Sequence, residues 1–418
     1  MSSTLDPQLL EILRCPFCGG RLTIDCIVED TERQLRAGVL SCHCCVFPVV
    51  DGIPHMRIGN SAHVALQLLG KGDAEAARLT LLGLKGARLD EFQALLTRDA
   101  PLTFERALQA LCTDAEGTYL LHRFSDPTFL ASEVLVRTVG TDPRVTSGRV
   151  LDLCGGAGHL TRALCQLPTL GEVVLADITF WKLWLAKRFV APDCRPVCCD
   201  ANGPLPFARE SFSWVVCSDA FHYIWHKRLL ADEMVRLVGV HGAITLAHLH
   251  NALCENPSAG NPLPPSGYRE LFGGMPTRLL GESRLLDAAI DCAPIDLSRS
   301  IPDEELAAEP ALAVIASQLP EVFREHSAPE PLPGWRELQV NPLYSVRENG
   351  RTVLERRFPS AEYAAEFSEC YRYLPVEVEL YEGQVVAGRM IGSEGELLRL
   401  ARQHVLLDLP AHYLEPRR

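Results

Sequence analysis

The sequence predicts an α/β fold, a parallel, doubly wound sheet with helices on both faces, preceded by a cysteine-rich module and a helical segment and followed by an α+β extension. From Arg149 onward, short apolar runs alternate with helical stretches, which is the pattern of a parallel sheet built by crossovers. Six of the sixteen cysteines crowd between Leu9 and Met56. From Ala62 to about Val139 apolar residues recur at intervals of three and four, with breaks at Gly70 to Gly72, Gly83 to Gly86, Asp99 to Pro101 and Ser125 to Pro127. A chain of 418 residues also exceeds one ordinary core at about 150 residues per domain. The division expected is 1–60, 61–140, 141–295 and 296–418.

Within 1–60, Cys15-Pro-Phe-Cys18 and Cys42-His-Cys44-Cys45 supply two thiolate pairs, the first at the spacing of a tight metal-binding knuckle. A structural zinc ion fits Cys15, Cys18, Cys42 and Cys45. Cys44 is the substitute in the second pair and His43 a weaker one. Four protein ligands leave no open position, so such a metal holds structure and does no chemistry. The flanking stretches Leu10-Glu11-Ile12-Leu13-Arg14-Cys15-Pro16 and Phe47-Pro48-Val49-Val50-Asp51-Gly52-Ile53-Pro54 resemble the small zinc-ribbon proteins related to the activator subunit of tRNA, rRNA and translation-factor methyltransferases. That resemblance implies a ribbon fused to its enzyme partner.

The helical segment 61–140 reads as a linker or cap. Its stretch Tyr119 to Ser125 immediately precedes the sheet and carries Arg123.

In 141–295, Val150-Leu151-Asp152-Leu153 is an apolar strand ending beside an acid, and Cys154-Gly155-Gly156-Ala157-Gly158 is a glycine turn into a helix. Asp177 closes the next apolar run, 19 residues after Gly158, where a carboxylate can accept ribose hydroxyls. Asp200 closes the run after that and is followed by Ala201. One glycine turn with three acids at successive strand ends fits an adenosyl ligand that has no pyrophosphate. Residues 149 to 250 resemble the class I S-adenosylmethionine-dependent methyltransferases, particularly the small-molecule branch. In that resemblance Asp152, Gly156 and Gly158 match the first motif, Asp177 the ribose acid and Asp200 the adenine-side acid, and Phe212 to Tyr223, including Ser218, match the fourth strand and its extension. Cys154 departs from the commoner glycine. Related enzymes close N-terminal helices over the cofactor, which implies Arg123 as a partner of its methionine carboxylate. The fold implied is a Rossmann-like methyltransferase sheet.

A sulfonium methyl is already electrophilic, so catalysis needs alignment and sometimes a base. His222, after the fourth strand, is the candidate general base or, equally, a helix-packing imidazole, with His226, His248 and His250 in comparable places. Asp219 reads as a cap of the helix that follows it, with orientation of substrate as the alternative. Trp181 and Trp184, at i and i+3 of one helix, read as core. Asn256 to Gly267, rich in Pro, Gly, Ser and Asn, reads as a candidate lid.

Beyond it, Thr277 to Ile290 is expected to supply the last strands and Glu304 to Gln318 a helix, with punctuation at Pro329 to Gly334. Tyr344 to Phe358 reads as a hairpin turning at Glu348 to Arg351, and Ala361 to Tyr373 as an amphipathic helix. The extension 296–418 is assigned to substrate binding or oligomerisation.

A net charge of −13 disfavours nucleic acid as a partner, and the short basic runs Arg399 to Arg402 and Arg417-Arg418 read as solvated faces. No apolar stretch reaches the roughly 18 residues of a membrane span. Sixteen cysteines and a polar, acidic start without an export signal point to a cytoplasmic protein. The expectation is a methyltransferase acting on an O, N or C nucleophile of a small-molecule metabolite, with RNA or protein methylation and a non-catalytic cofactor-binding scaffold as alternatives.

Overall fold

A computed structural model describes residues 4–415 apart from 32–33, 98–100, 169–170, 257–259, 329–337, 349–351, 381–384, 387–388 and 391–393. Seven strands form its central sheet: β1 (Val150–Leu153), β2 (Val173–Asp177), β3 (Arg195–Cys198), β4 (Trp214–Ser218), β5 (Ala243–His250), β6 (Thr277–Gly281) and β7 (Ala311–Ser317). Their spatial order is 3-2-1-4-5-7-6. The first five run parallel, whereas β7 lies antiparallel between β5 and β6. Strand order reverses between β1 and β4, which opens a crevice beyond their carboxyl ends.

β7 differs from expectation. The stretch read as a helix over Glu304 to Gln318 is a short turn of helix, Asp303–Leu306, followed by this strand. Every residue of Ala311–Ser317 is buried, so the strand shows no alternation to betray it. The sheet therefore extends past the boundary expected at 295. Of Thr277 to Ile290 only the first part is strand, and Glu282–Asp291 is helical.

Residues 4–56 pack onto the outer edge of this sheet. Four antiparallel strands, Thr23–Thr31, Gln34–Ser41, Val46–Val50 and Ile53–Pro54, form the ribbon. It docks through main chain: the Met56 N–H donates to the Cys198 carbonyl (2.7 Å), Arg14 N–H to Pro206 (2.9 Å), and the Ala208 N–H to Ile12 (2.8 Å). The edge of β3, which would otherwise present unpaired amides, is thereby covered. Side chains lock the joint, with Arg195 Nε on Asp6 (2.6 Å) and Trp184 Nε1 on Asp51 (3.0 Å). Trp184 is buried, edge-on to Phe92, as its helical spacing implied.

Six helices fill the cap: Asn60–Leu69, Ala74–Leu81, Ala87–Leu96, Phe104–Leu111, Ala115–His122 and Pro127–Val139. Most are capped by the sequence itself, as where Asp126 accepts from the Phe129 N–H and Thr103 from the Arg106 N–H. The C-terminal part returns over this cap. Tyr373 donates to the Ser125 carbonyl (2.8 Å), Tyr413 to the Leu120 carbonyl (2.9 Å), and the Tyr413 ring stacks on Phe104 at 4.5 Å. The expected hairpin is present as Tyr344–Glu348 paired with Thr352–Arg356, and the expected helix as Ala361–Glu366 continued by a tighter turn. Its turn residues 349–351, part of the break at Asp99 to Pro101, the punctuation at Pro329 to Gly334, and Arg417-Arg418 lie outside the described residues. No helix among the described residues is long and apolar enough to cross a membrane.

Candidate functional site

A cleft of about 630 Å³ opens at the carboxyl ends of β1, β2, β3 and β4. Its floor is the turn after β1, where Gly156 and Gly158 adopt φ of +55° and +84°. A Cβ at Gly158 would stand 2.8 Å from the Ala186 Cβ, so both conformation and close packing require glycine there. Cys154 shares the left-handed region at φ +60° and is half-buried on the sheet.

Asp177, at the end of β2, accepts from the Gly156 N–H (3.0 Å) and the Thr179 N–H (2.8 Å). Each oxygen keeps capacity for a further donor from the cleft. Burial raises its pKa, opposed chiefly by Lys182. Asp152 is fully buried, which pushes its carboxyl up to about 7 despite the Thr161 hydroxyl bonded to Oδ2 (2.6 Å). Its Oδ1 has no hydrogen-bond partner among the described residues. Asp200 holds the Asn202 N–H (2.9 Å), and Ala201 and Ser218 also line the cleft, with Ser218 Oγ 2.9 Å from Ser132 Oγ. The donor set thus fits an adenosyl ligand: carboxylates at strand ends and a turn with no side chain in the way.

Arg123 lines the same cleft, but its guanidinium is already engaged. It donates to both oxygens of Asp126 (2.8 and 2.9 Å), lies 3.4 Å from Asp219 Oδ2, and sits over the Tyr119 ring at 5.0 Å. Its charge supports the cleft wall instead of standing free for a ligand carboxylate.

Asp219 does not cap a helix. It takes φ +54° at the end of β4 and turns its carboxylate into the cleft, accepting from the Tyr119 hydroxyl (2.6 Å). Burial opposes its ionisation, but His248 and Arg123 hold its pKa below the usual value. His248 reaches the cleft because β5 is bulged against β7 and His248 itself has φ +50°. Its Nδ1 is 2.8 Å from Glu282 Oε2 and its Nε2 is 3.6 Å from Asp219 Oδ1. Burial alone would lower its pKa, but Glu282 and then Asp219 carry it up to about 9.

His222 is a correction. The tight turn Phe221–Tyr223 points it inward, fully buried, stacked 3.7 Å from His250, and leaves Tyr223 exposed at the cleft mouth. Burial drives the His222 imidazole down to about 3. It does not line the cleft and cannot serve there as a base. His226 is exposed elsewhere. The candidate lid also differs in place: Asn261 donates its N–H to the His222 carbonyl (2.9 Å), so this loop seals the histidine, and its residues 257–259 lie outside the described residues. Glu116, Lys182, Glu366 and Phe367 also line the cleft, and none of them stands in a motif that the sequence displays. Glu366 and Phe367 had no signal beyond an amphipathic helix.

In the ribbon, Cys15, Cys18, Cys42 and Cys44 converge. Their sulfurs stand 3.6 Å (Cys42 to Cys44), 3.8 Å (Cys18 to Cys42) and 3.9 Å (Cys15 to Cys44) apart. A tetrahedron with metal–sulfur bonds of about 2.3 Å has edges of about 3.8 Å, so the cluster is sized for zinc. Cys45 is replaced by Cys44. The Cys42 N–H bonds to the Cys45 carbonyl (2.9 Å), closing a turn that carries Cys44 toward the other sulfurs, while Cys45 leads into the strand Val46–Val50.

Two stretches match known families: residues 150–242 the methyltransferase domain, and residues 6–52 the Trm112p-like proteins. No curated protein matches the chain. Among solved structures, the YcgJ protein of Bacillus subtilis is 17% identical over 45% of this chain and 98% of its own, at a TM-score of 0.32. A complex of the Haloferax volcanii Trm112 methyltransferase activator is 16% identical over 56% and 100%, at 0.37. Phosphoethanolamine N-methyltransferase 2 of Haemonchus contortus, bound to S-adenosyl-L-methionine, is 14% identical over 52% and 60%, at 0.35.

Proposed function

We propose that this S-adenosylmethionine-dependent methyltransferase, with its Trm112p-like ribbon folded onto the edge of its own sheet, methylates an oxygen, nitrogen or carbon nucleophile of a small molecule. The observation that carries the reading is the shape of the cleft. At about 630 Å³ it falls within the range of small-molecule sites, and one cavity holds both the strand-end acids and a far wall of Tyr119, Tyr223, Glu366 and Phe367. The cap helix and the C-terminal extension together supply most of that wall, which supports a role of the extension in acceptor binding.

The cofactor, when bound, supplies an electrophilic methyl group on sulfur. Asp177 would accept its ribose hydroxyls, Asp200 and Ala201 would border its adenine, and the Gly156 to Gly158 turn would admit its methionine end near Asp152 and Ser218. Arg123 acts as a positioning residue, fixing Asp219 together with Tyr119. Asp219 stays ionised and faces the acceptor end, where it can accept a hydrogen bond from an O–H or N–H and orient the lone pair. While no cation is bound, Glu282 and Asp219 keep His248 protonated at neutral pH, so it is a donor there and not a base; a bound cation would take the place of its Nε2 proton.

The Trm112p-like match favours a second reading, methylation of RNA or protein. Against it stand the charge of −13 and the position of the ribbon, none of whose described residues lines the cleft. Incubating the chain with methyl-labelled cofactor and a cell extract separates the two. Label is expected in molecules that pass an ultrafiltration membrane. Label confined to RNA or protein would overturn the small-molecule reading, and absence of cofactor binding by calorimetry would overturn both.

A further inference from the structure

Two side chains that line the cleft, Asp219 and His248, form a cluster with His250 and Glu282, which stand behind them, and hydrogen bonding to an acceptor does not account for the arrangement of all four. A ring nitrogen of His248, one of His250 and a carboxylate oxygen of Asp219 lie within 4.8 Å of one another. They come from two neighbouring strand ends: Asp219 follows β4, and His248 and His250 stand two apart on β5, where the bulge turns His248 out of the ordinary pleat. Glu282 opens the helix after β6 and binds His248 Nδ1 at 2.8 Å.

The division of donors is that of a metal site. His248 spends Nδ1 on a carboxylate, which fixes the ring and leaves Nε2 facing Asp219, the carboxylate–histidine–metal relation found behind metal-ligating imidazoles. Asp219 spends Oδ2 on Tyr119 and Arg123, which leaves Oδ1 facing His248. His250 is 3% exposed, and its Nδ1 has no hydrogen-bond partner among the described residues. Both ring nitrogens of His222, stacked against His250, are equally without one. An ion pair among His248, Asp219 and Glu282 accounts for those three groups, but it leaves a buried imidazole beside them unsatisfied, which is costly. A cation shared by Asp219, His248 and His250 gives each a partner, with the Asp219 carboxylate as its one anionic ligand.

We propose that Asp219, His248 and His250 bind a divalent first-row transition-metal ion at the acceptor end of the cleft, with Glu282 orienting His248. Two imidazoles and one carboxylate are borderline ligands suited to zinc, cobalt or iron(II), in contrast to the soft four-thiolate ribbon. Three protein ligands leave positions open toward the cleft that Asp219 and His248 line, where an oxygen or nitrogen of the acceptor can enter. The site is one of binding and orientation and does not depend on which acceptor is used.

The test is metal stoichiometry on the full chain. After saturation with zinc and removal of excess, two equivalents are expected, one in the ribbon and one in the cleft. His250→Ala and Asp219→Asn are expected to retain one, and Glu282→Gln to weaken the second by roughly 10- to 100-fold. Cobalt(II) added to wild type that carries a single equivalent of zinc, taken by the thiolates of the ribbon, gives a check that needs no variant: d–d absorption without thiolate charge transfer is expected. A single equivalent in the wild type, a second equivalent unchanged in both His250→Ala and Asp219→Asn, or cobalt spectra showing thiolate alone would each overturn the site. Cofactor affinity measured on the same samples reads the methyl-transfer premise separately.

Discussion

The cleft has two halves, and they are built differently. The half proposed to hold the cofactor comes from consecutive strand–turn units between Val150 and Ala201, and its key positions are set by backbone: a left-handed turn at Gly156 and Gly158, and carboxylates where β2 and β3 end. The half proposed to take the acceptor gathers Tyr119 from the cap, Asp219 after β4, His248 from the bulge in β5, and Glu366 from the C-terminal extension, with Glu282 after β6 holding His248 from behind. There, side chains hold one another. A half dictated by backbone tolerates change around it, whereas a half assembled from side chains depends on every member staying in register.

Asp177→Ala breaks the first half most. The carboxylate holds two backbone N–H groups of the turn, and its charge-assisted bonds to a ligand hydroxyl are worth about 1.5 to 3 kcal/mol. Cofactor affinity is expected to fall roughly 10- to 150-fold in calorimetry. If affinity were unchanged, the cofactor would not be held by the end of β2, and the comparison of halves would lose its basis.

The same contrast explains what could be read in advance. Glycines, strand-end acids and cysteine pairs act within a few residues, so Asp152, Gly156, Asp177 and Asp200, which line the cleft together, and Gly158, which shapes the turn beneath it, stand out in the sequence. The gap of two residues points to Cys45, with Cys44 as its substitute, whereas the direction of a thiol depends on a turn that spacing does not encode and that carries Cys44 to the other sulfurs. His222 was chosen for its position after β4, but a single tight turn sends it inward and sends Tyr223 outward. β7 was hidden by uniform burial, and Glu366 by its separation from every motif.

His159 tests the joint between the halves. It opens the helix after the glycine turn, its Nε2 is 2.9 Å from the hydroxyl of Tyr413 in the returning C-terminal part, and burial with help from Arg123 lowers its pKa to about 3. A histidine depressed in the fold remains neutral there while the unfolded chain takes up a proton below about pH 6.5. Stability is therefore lost as pH falls from about 6.5 toward 3, by about 2 kcal/mol at pH 5. His159→Gln removes the titration and is expected to shrink by that amount the loss between pH 7 and 5 in urea unfolding. Parallel pH curves for the two proteins would mean that His159 is solvated in solution and the joint is looser than its geometry.

Glu366→Gln should have the smallest effect and is the most selective test. The carboxylate stands at the exposed mouth, with its pKa raised by partial burial and then by Asp219 and Asp126, and among the described residues it has no ion-pair partner. A charge so placed contributes about 0.2 to 1 kcal/mol to whatever it faces, so the KM for the acceptor is expected to rise a few-fold. Because Glu366 touches none of the strand ends, the cofactor Kd should stay constant. An equal change in both constants would show that the C-terminal extension closes over the cofactor as well, making the two halves a single enclosure instead of a fixed socket with an acceptor wall added to it.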